Sequence, residues 1–105
     1  MQSIKDIPVK ELVPGIDGHY AHGSSMTFGY VEIKVGSDMP MHKHVHEQIT
    51  YLIEGRMDMI MDGKTYPLTP GMYLIIPSNT LHAAVAHTDC KVIDVFSPVR
   101  EEYKF

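Results

Sequence analysis

Seven histidines occur in a chain of 105 residues, and three of them fall in one five-residue window. His42, His44 and His46 alternate with other residues, and Gln48 continues the same spacing. On an extended chain, residues two apart face the same way and sit about 6.6 Å apart. The imidazoles of His42 and His44 can therefore close on one ion at roughly 2.0–2.2 Å. Gln48 shares their parity, and a second stretch, GMYLIIPSNTLH (71–82), supplies His82. The chemistry this pattern could do is divalent-metal binding. The window alone equally describes a solvated, histidine-rich sheet edge with accidental affinity for nickel. A second group lies near the C-terminus, where Asp94 and Phe96 share one face of an extended run and Arg100 follows the Pro98 turn. An acid, an aromatic wall and a guanidinium suit a small sugar acid, because arginine grips a carboxylate bidentately. Periodicity alone fits a core phenylalanine beside a surface Asp–Arg pair at least as well.

The elements that must carry these residues are short strands. Ser25 to Val35 alternates Met26, Phe28 and Tyr30 and then Ile33 and Val35. The parity switch near Val31 predicts a bulge or a strand with two apolar faces. Met41–His46 is predicted as a strand, with Gln48–Ile53 as its neighbour or continuation. Asp62-Gly63 marks a hairpin between 57–61 and 64–68. Further strands are expected over 72–76, 81–86 and 91–96, the last two as a pair joined at 87–90. That gives about eight to ten short strands and no convincing helix, a sandwich or barrel pattern. Residues 1–18, punctuated by Pro8, Pro14, Gly15 and Gly18, are expected as an entry arm with a short strand or turn. Residues 20–97 are expected as the barrel and 98–105 as a polar tail with about one helical turn. Met57, Met59 and Met61 read as core filler on one strand face.

One chain of this length makes one domain, residues 1–105, with a core large enough to need no staples. The net charge is −4 with no basic run, which argues against a nucleic-acid partner. No apolar run reaches membrane-spanning length and the N-terminus lacks a signal-peptide core. The single cysteine, Cys90, reads as a small buried apolar residue and fits a reducing, cytoplasmic setting.

The sequence resembles the cupin superfamily. Gly36, His42, His44 and Gly55 fall on its first motif, G-x5-HxH-x3,4-E-x6-G, with Gln48 where glutamate is usual. Gly71, Pro77 and His82 fall on the second, G-x5-PxG-x2-H-x3-N, with Asn79 and Ala86 departing from it. The resemblance implies an all-β double-stranded β-helix, or jelly-roll, barrel. It also implies one divalent transition metal per chain held by His42, His44, Gln48 and His82. Three imidazoles and an amide leave the ion its full charge, which favours Lewis-acid work over dioxygen chemistry. Such a set accepts nickel, zinc, iron, cobalt or manganese. His46 is expected at the second layer or rim of the site, with Glu47 facing outward.

The HxHxxEQ run, the DVFSPVRE tail and the preceding VPGIDGHYAHGSSMTFGYVEIKVG are similar to the small cupins of pectin and alginate breakdown. That similarity implies linearisation of 4,5-unsaturated monouronates to the keto-uronate, with Asp94, Phe96 and Arg100 in the active site. It also implies a homodimer. The competing readings are a small-ligand-binding cupin without turnover and a cupin dioxygenase or isomerase of another substrate.

Overall fold

A computed structural model describes residues 2–105. Ten antiparallel strands form two facing sheets. They are β1 (Lys10–Val13), β2 (Ile16–His22), β3 (Thr27–Ile33), β4 (Asp38–His42) and β5 (Glu47–Glu54), followed by β6 (Met57–Met61), β7 (Lys64–Leu68), β8 (Tyr73–Ile76), β9 (His82–Ala86) and β10 (Cys90–Ser97). The larger sheet has the order β1-β2-β3-β10-β5-β8 and the smaller β4-β9-β6-β7. This is the expected all-β jelly roll. No helix among the described residues is long and apolar enough to cross a membrane.

The strands follow from alternation. Along β5, Gln48, Thr50 and Leu52 are buried while Glu47, Ile49, Tyr51 and Ile53 are exposed. The inward residues pack around Ile16, Val31, Leu52, Met57, Met59, Ile76, Val92 and Phe96. Burying these side chains is the main stabilising contribution, about 1.5–3 kcal/mol for each large one. Met57 and Met59 are 2% and 3% exposed and Met61 packs against them, so the methionine row is core. Cys90 is buried and donates its weak S–H to the Arg56 carbonyl.

Two turns need particular residues. Asp62 and Gly63 both have positive φ, +50° and +75°, as the two-residue hairpin between β6 and β7 requires. Gly55 has φ +99°, and a side chain there would collide with the Asp89 carbonyl, so only glycine lets β5 turn into β6.

Two boundaries differ from the sequence expectation, and so does one pairing: 81–86 and 91–96, expected as a pair, lie in different sheets, because β10 crosses over to sit between β3 and β5. The sheet begins at Lys10 and takes in β1 and the start of β2, both inside the stretch read as an arm; β1 pairs with β2 through Lys10–Gly18 and Val13–Ile16. The strand read as Met41–His46 instead ends at His42, leaving 43–46 as a loop. The parity switch near Val31 is a two-faced strand without a bulge. β3 keeps unbroken register with both neighbours, with Thr27, Gly29, Val31 and Ile33 inside and Phe28 and Tyr30 outside. The tail forms a single 3-10 turn, Glu101–Tyr103.

Candidate metal centre and pocket

His42 ends β4 and lies opposite His82, which begins β9. Their ring centroids are 4.2 Å apart. His44 sits in the loop between β4 and β5, its ring 4.9 Å from that of His82. The candidate ligand atoms of His42, His44 and His82 all lie within 4.8 Å of one another. His44 is therefore placed by a loop and not by strand alternation, yet the three imidazoles still converge. The β8–β9 turn supplies what the strand does not. The Asn79 N–H donates to the His44 carbonyl at 2.8 Å and the Ser78 hydroxyl to the Val45 carbonyl at 2.6 Å.

The tautomers follow from the partners. Nδ1 of His42 contacts the Pro40 carbonyl at 2.8 Å, Nδ1 of His44 the His46 carbonyl at 2.9 Å, and Nδ1 of His82 the Thr80 carbonyl at 2.8 Å. A carbonyl only accepts, so each Nδ1 carries the proton and each Nε2 presents its lone pair inward. His82 is 2% exposed, and its Nε2 finds no hydrogen-bond partner among the described residues. Burial lowers its basicity to about 4, and burial together with the Arg100 charge lowers that of His44. Both stay neutral and ready to ligate.

Gln48 completes the set. Its amide N–H donates to the Thr50 hydroxyl at 2.9 Å and to Asp94 Oδ1 at 3.3 Å. Its Oε1 then faces His44 Nε2 at 3.0 Å. Two lone pairs so placed repel unless a cation or proton lies between them. With the orphaned His82 nitrogen, this donor set fits a divalent transition metal, three neutral nitrogens and one amide oxygen.

Asp94 and Phe96 project inward from β10, beside Thr50 and Gln48 respectively. The Thr50 hydroxyl donates to Asp94 Oδ1 at 2.7 Å. Burial raises the Asp94 carboxyl's affinity for a proton, opposed by the hydrogen bonds from Thr50 and Gln48. Phe96 packs edge-on to His44, with centroids 5.8 Å apart. Arg100 is only 7% exposed; its guanidinium carbon lies 4.8 Å from the Phe96 ring and 4.2 Å from the Tyr103 ring. Its Nε donates to Glu102 Oε1 at 2.6 Å. Burial alone would raise the Glu102 carboxyl, but the hydrogen bond and charge of Arg100 win and hold it below its usual range. The surface Asp–Arg pair that periodicity allowed is not what forms; the two residues line one cavity of about 50 Å³ with His42, Gln48, His82 and Phe96.

His46 is buried, its Nε2 3.2 Å from the Val99 carbonyl and 3.9 Å from Glu102. It ties the ligand loop to the segment bearing Arg100. Glu47 is exposed. The sequence reading missed Thr50, Tyr20, Glu102 and Tyr103. The last two lie in the stretch read as a polar tail. Thr50 was within reach, since it continues the parity of Gln48.

Residues 29–96 match the family model described as a cupin domain. The chain is 31% identical over 74 residues to an L-ectoine synthase of Teredinibacter turnerae, covering 69% of this chain and 56% of that protein. It is 33% identical over 64 residues to the pectin degradation protein KdgF of Dickeya dadantii, covering 59% and 58%. The chain thus spans a little over half the length of these curated relatives. The solved structure of KdgF from Halomonas sp. aligns with a TM-score of 0.88 at 31% identity, covering 95% of this chain and 94% of that one.

Proposed function

The chain belongs to the cupin family, and on that footing we propose that it is a metal-dependent enzyme that linearises 4,5-unsaturated monouronates to the open-chain keto-uronate. The observation that carries this reading is the hydrogen-bonded run from the candidate ligand Gln48 to Thr50 and Asp94. It sets a carboxyl with raised proton affinity beside the cation site and across the cavity from a buried arginine. The resemblance to pectin-degradation cupins extends through both groups.

His42, His44, Gln48 and His82 would hold the metal, which supplies Lewis acidity toward a substrate oxygen. Arg100, its Nε fixed by Glu102, turns the rest of its fork to the substrate carboxylate. Phe96 walls the site and excludes water from one side of the ring. Asp94 handles the proton. The hemiacetal hydroxyl loses its proton as C1=O forms and the C1–O5 bond breaks. The C5 enol that results becomes the ketone as a proton is delivered to C4. One proton leaves oxygen and one reaches carbon, so the change is an isomerisation that needs neither water nor an oxidant. A carboxyl whose hold on its proton burial strengthens suits both transfers.

The test is ultraviolet. The substrate's carboxylate-conjugated double bond absorbs and the product has none, so the metal-loaded protein should abolish the absorbance without consuming oxygen. Oxygen uptake on a catechol- or flavonol-like substrate would instead favour a dioxygenase. Ligand binding with no absorbance loss would favour a binding cupin.

The lone buried thiol of Cys90 fits a cytoplasmic setting. We further propose that two copies pair through the outer face of the larger sheet. Register places His19, Tyr30, Ile93, Tyr51 and Tyr73 in one row across five strands and Ala21, Phe28, Val95, Ile49 and Ile75 in the next. Neither row contains an acidic residue, lysine or arginine.

A further inference from the structure

Tyr20 lies on the inner face of β2, 4% exposed, and its hydroxyl is buried with no hydrogen-bond partner among the described residues. Unpartnered buried hydroxyls are rare in folded proteins, and each one asks for a water, an ion or a ligand. The ring's position is built deliberately. Register aligns Tyr20, Gly29 and Asp94 across β2, β3 and β10. A Cβ at Gly29 would fall 2.5 Å from ring atom Cε1, and one at Gly18 would meet Cζ and the hydroxyl oxygen. Neither glycine has positive φ, so neither is there for a turn. Both are there because the phenol lies flat across them. The other side of the ring is covered by Tyr103, with centroids 4.5 Å apart, and Tyr103 in turn stacks on Arg100. Tyr20 lines the same cavity as Asp94, Arg100 and the candidate ligands His42, Gln48 and His82.

We propose that the Tyr20 hydroxyl is a substrate contact on the cavity floor, donating a hydrogen bond to an oxygen of the bound sugar acid. The proposal rests on the uronate reading above and adds to it a specificity residue outside the acid–aromatic–arginine group. Burial, and then the neighbouring Asp94 carboxylate, push ionisation of the phenol far up, so it stays a neutral donor over the whole working range. A floor donor without a partner discriminates: a ligand with an acceptor there satisfies it, and a ligand lacking one leaves it stranded.

The experiment compares wild type with Tyr20→Phe, both metal-loaded. Three quantities are measured: the melting temperature without ligand, the KM for 4,5-unsaturated monogalacturonate, and calorimetric affinity for saturated galacturonate. A hydroxyl waiting for a ligand costs stability when empty, so Tyr20→Phe should melt a few degrees higher. Losing one neutral hydrogen bond should weaken KM and galacturonate affinity by about 2- to 12-fold. A lower melting temperature in Tyr20→Phe would mean that the hydroxyl has a structural partner, and the proposal would fall. Unchanged affinities would overturn it as well. If wild type binds galacturonate but never consumes the unsaturated acid, the reaction reading fails while the calorimetric arm still decides Tyr20. A wild type that binds neither acid removes the sugar-acid ligand assigned to this hydroxyl.

Discussion

Asp94 is where the proposed chemistry concentrates, because among the described residues it alone combines raised proton affinity with a hydrogen bond to a candidate metal ligand. Asp94→Asn keeps the size and an acceptor for Thr50 but holds no exchangeable acid proton. It should lower kcat by about 10²- to 10⁴-fold while leaving metal content intact. Arg100→Lys keeps the charge but loses the planar fork and the stacking on Phe96 and Tyr103, so it should act mainly through KM. Turnover by Asp94→Asn at the wild-type rate would remove the acid from the mechanism. His82 yields a prediction of another kind, in metal-stripped protein. Its pKa is about 4 when folded against an ordinary 6.5. Between those values the unfolded chain takes up a proton that the folded chain refuses. Stability is thus full above about 6.5 and is lost as pH falls toward 4, by about 3 kcal/mol at roughly 1.4 kcal/mol per unit. Denaturant titrations from pH 7.5 to 4 should show this loss in stripped wild type and a smaller one in His82→Phe. Equal slopes in the two proteins would assign the loss to other groups.

At the scale of elements, β5 and β10 were legible as strands, but their pairing was not: nearness in sequence pairs 81–86 with 91–96, whereas β10 crosses to the other sheet and lies between β3 and β5. Alternation set Asp94 and Phe96 on one face of their strand and Gln48 in step with His42 and His44; that the two groups share one interior follows only from the β5–β10 register. The end of β4 was not legible. Parity continues through His46, but hydrogen bonding does not, and what holds 43–46 is a turn more than thirty residues away. The Tyr20 floor was hidden for a related reason. Gly18 was read as punctuation of an arm, whereas a glycine inside a strand also marks a close approach. The two internal glycines, Gly18 and Gly29, facing one inward tyrosine were the available signal. The distant turn makes its own prediction. Ser78→Ala removes the 2.6 Å bond to the Val45 carbonyl and leaves all four candidate ligands in place. If that turn positions His44, metal affinity should fall about 3- to 10-fold, as measured by competition with a chelator of known affinity. Unaltered affinity would mean the loop holds its shape without the turn.

For the whole molecule, the proposed pairing of two copies turns on the two apolar rows of the larger sheet. Phe28, Ile49, Tyr51, Ile53, Tyr73 and Ile75 are 39% to 63% exposed on that one face. Five strands at about 4.8 Å spacing and two outward rows about 6.8 Å apart give a footprint on the order of 300 Å² in projection, more in accessible area. That is the scale of the largest apolar patch on a free monomer, and its accessible area approaches one side of a small specific interface. A row of charge, Asp17, Glu32, Lys91 and Glu54, borders the patch. A polar margin around an apolar centre is the anatomy of an interface. A second copy is the occupant that needs no further partner, since a two-fold axis lays a flat sheet face on itself. β10 runs through the middle of the face, with Ile93 and Val95 directed outward on either side of inward Asp94. Ile93→Lys would bury an unpaired charge at the centre of that interface, a change that costs several kcal/mol there and little on a free surface. Sedimentation equilibrium should give wild type twice the 11.9 kDa chain mass and the variant a single chain. Metal content of the variant should stay at the wild-type level, because the ligands lie on the opposite side of the sheet. A wild type that sediments as a monomer at tens of micromolar would leave these rows without a second copy to cover them.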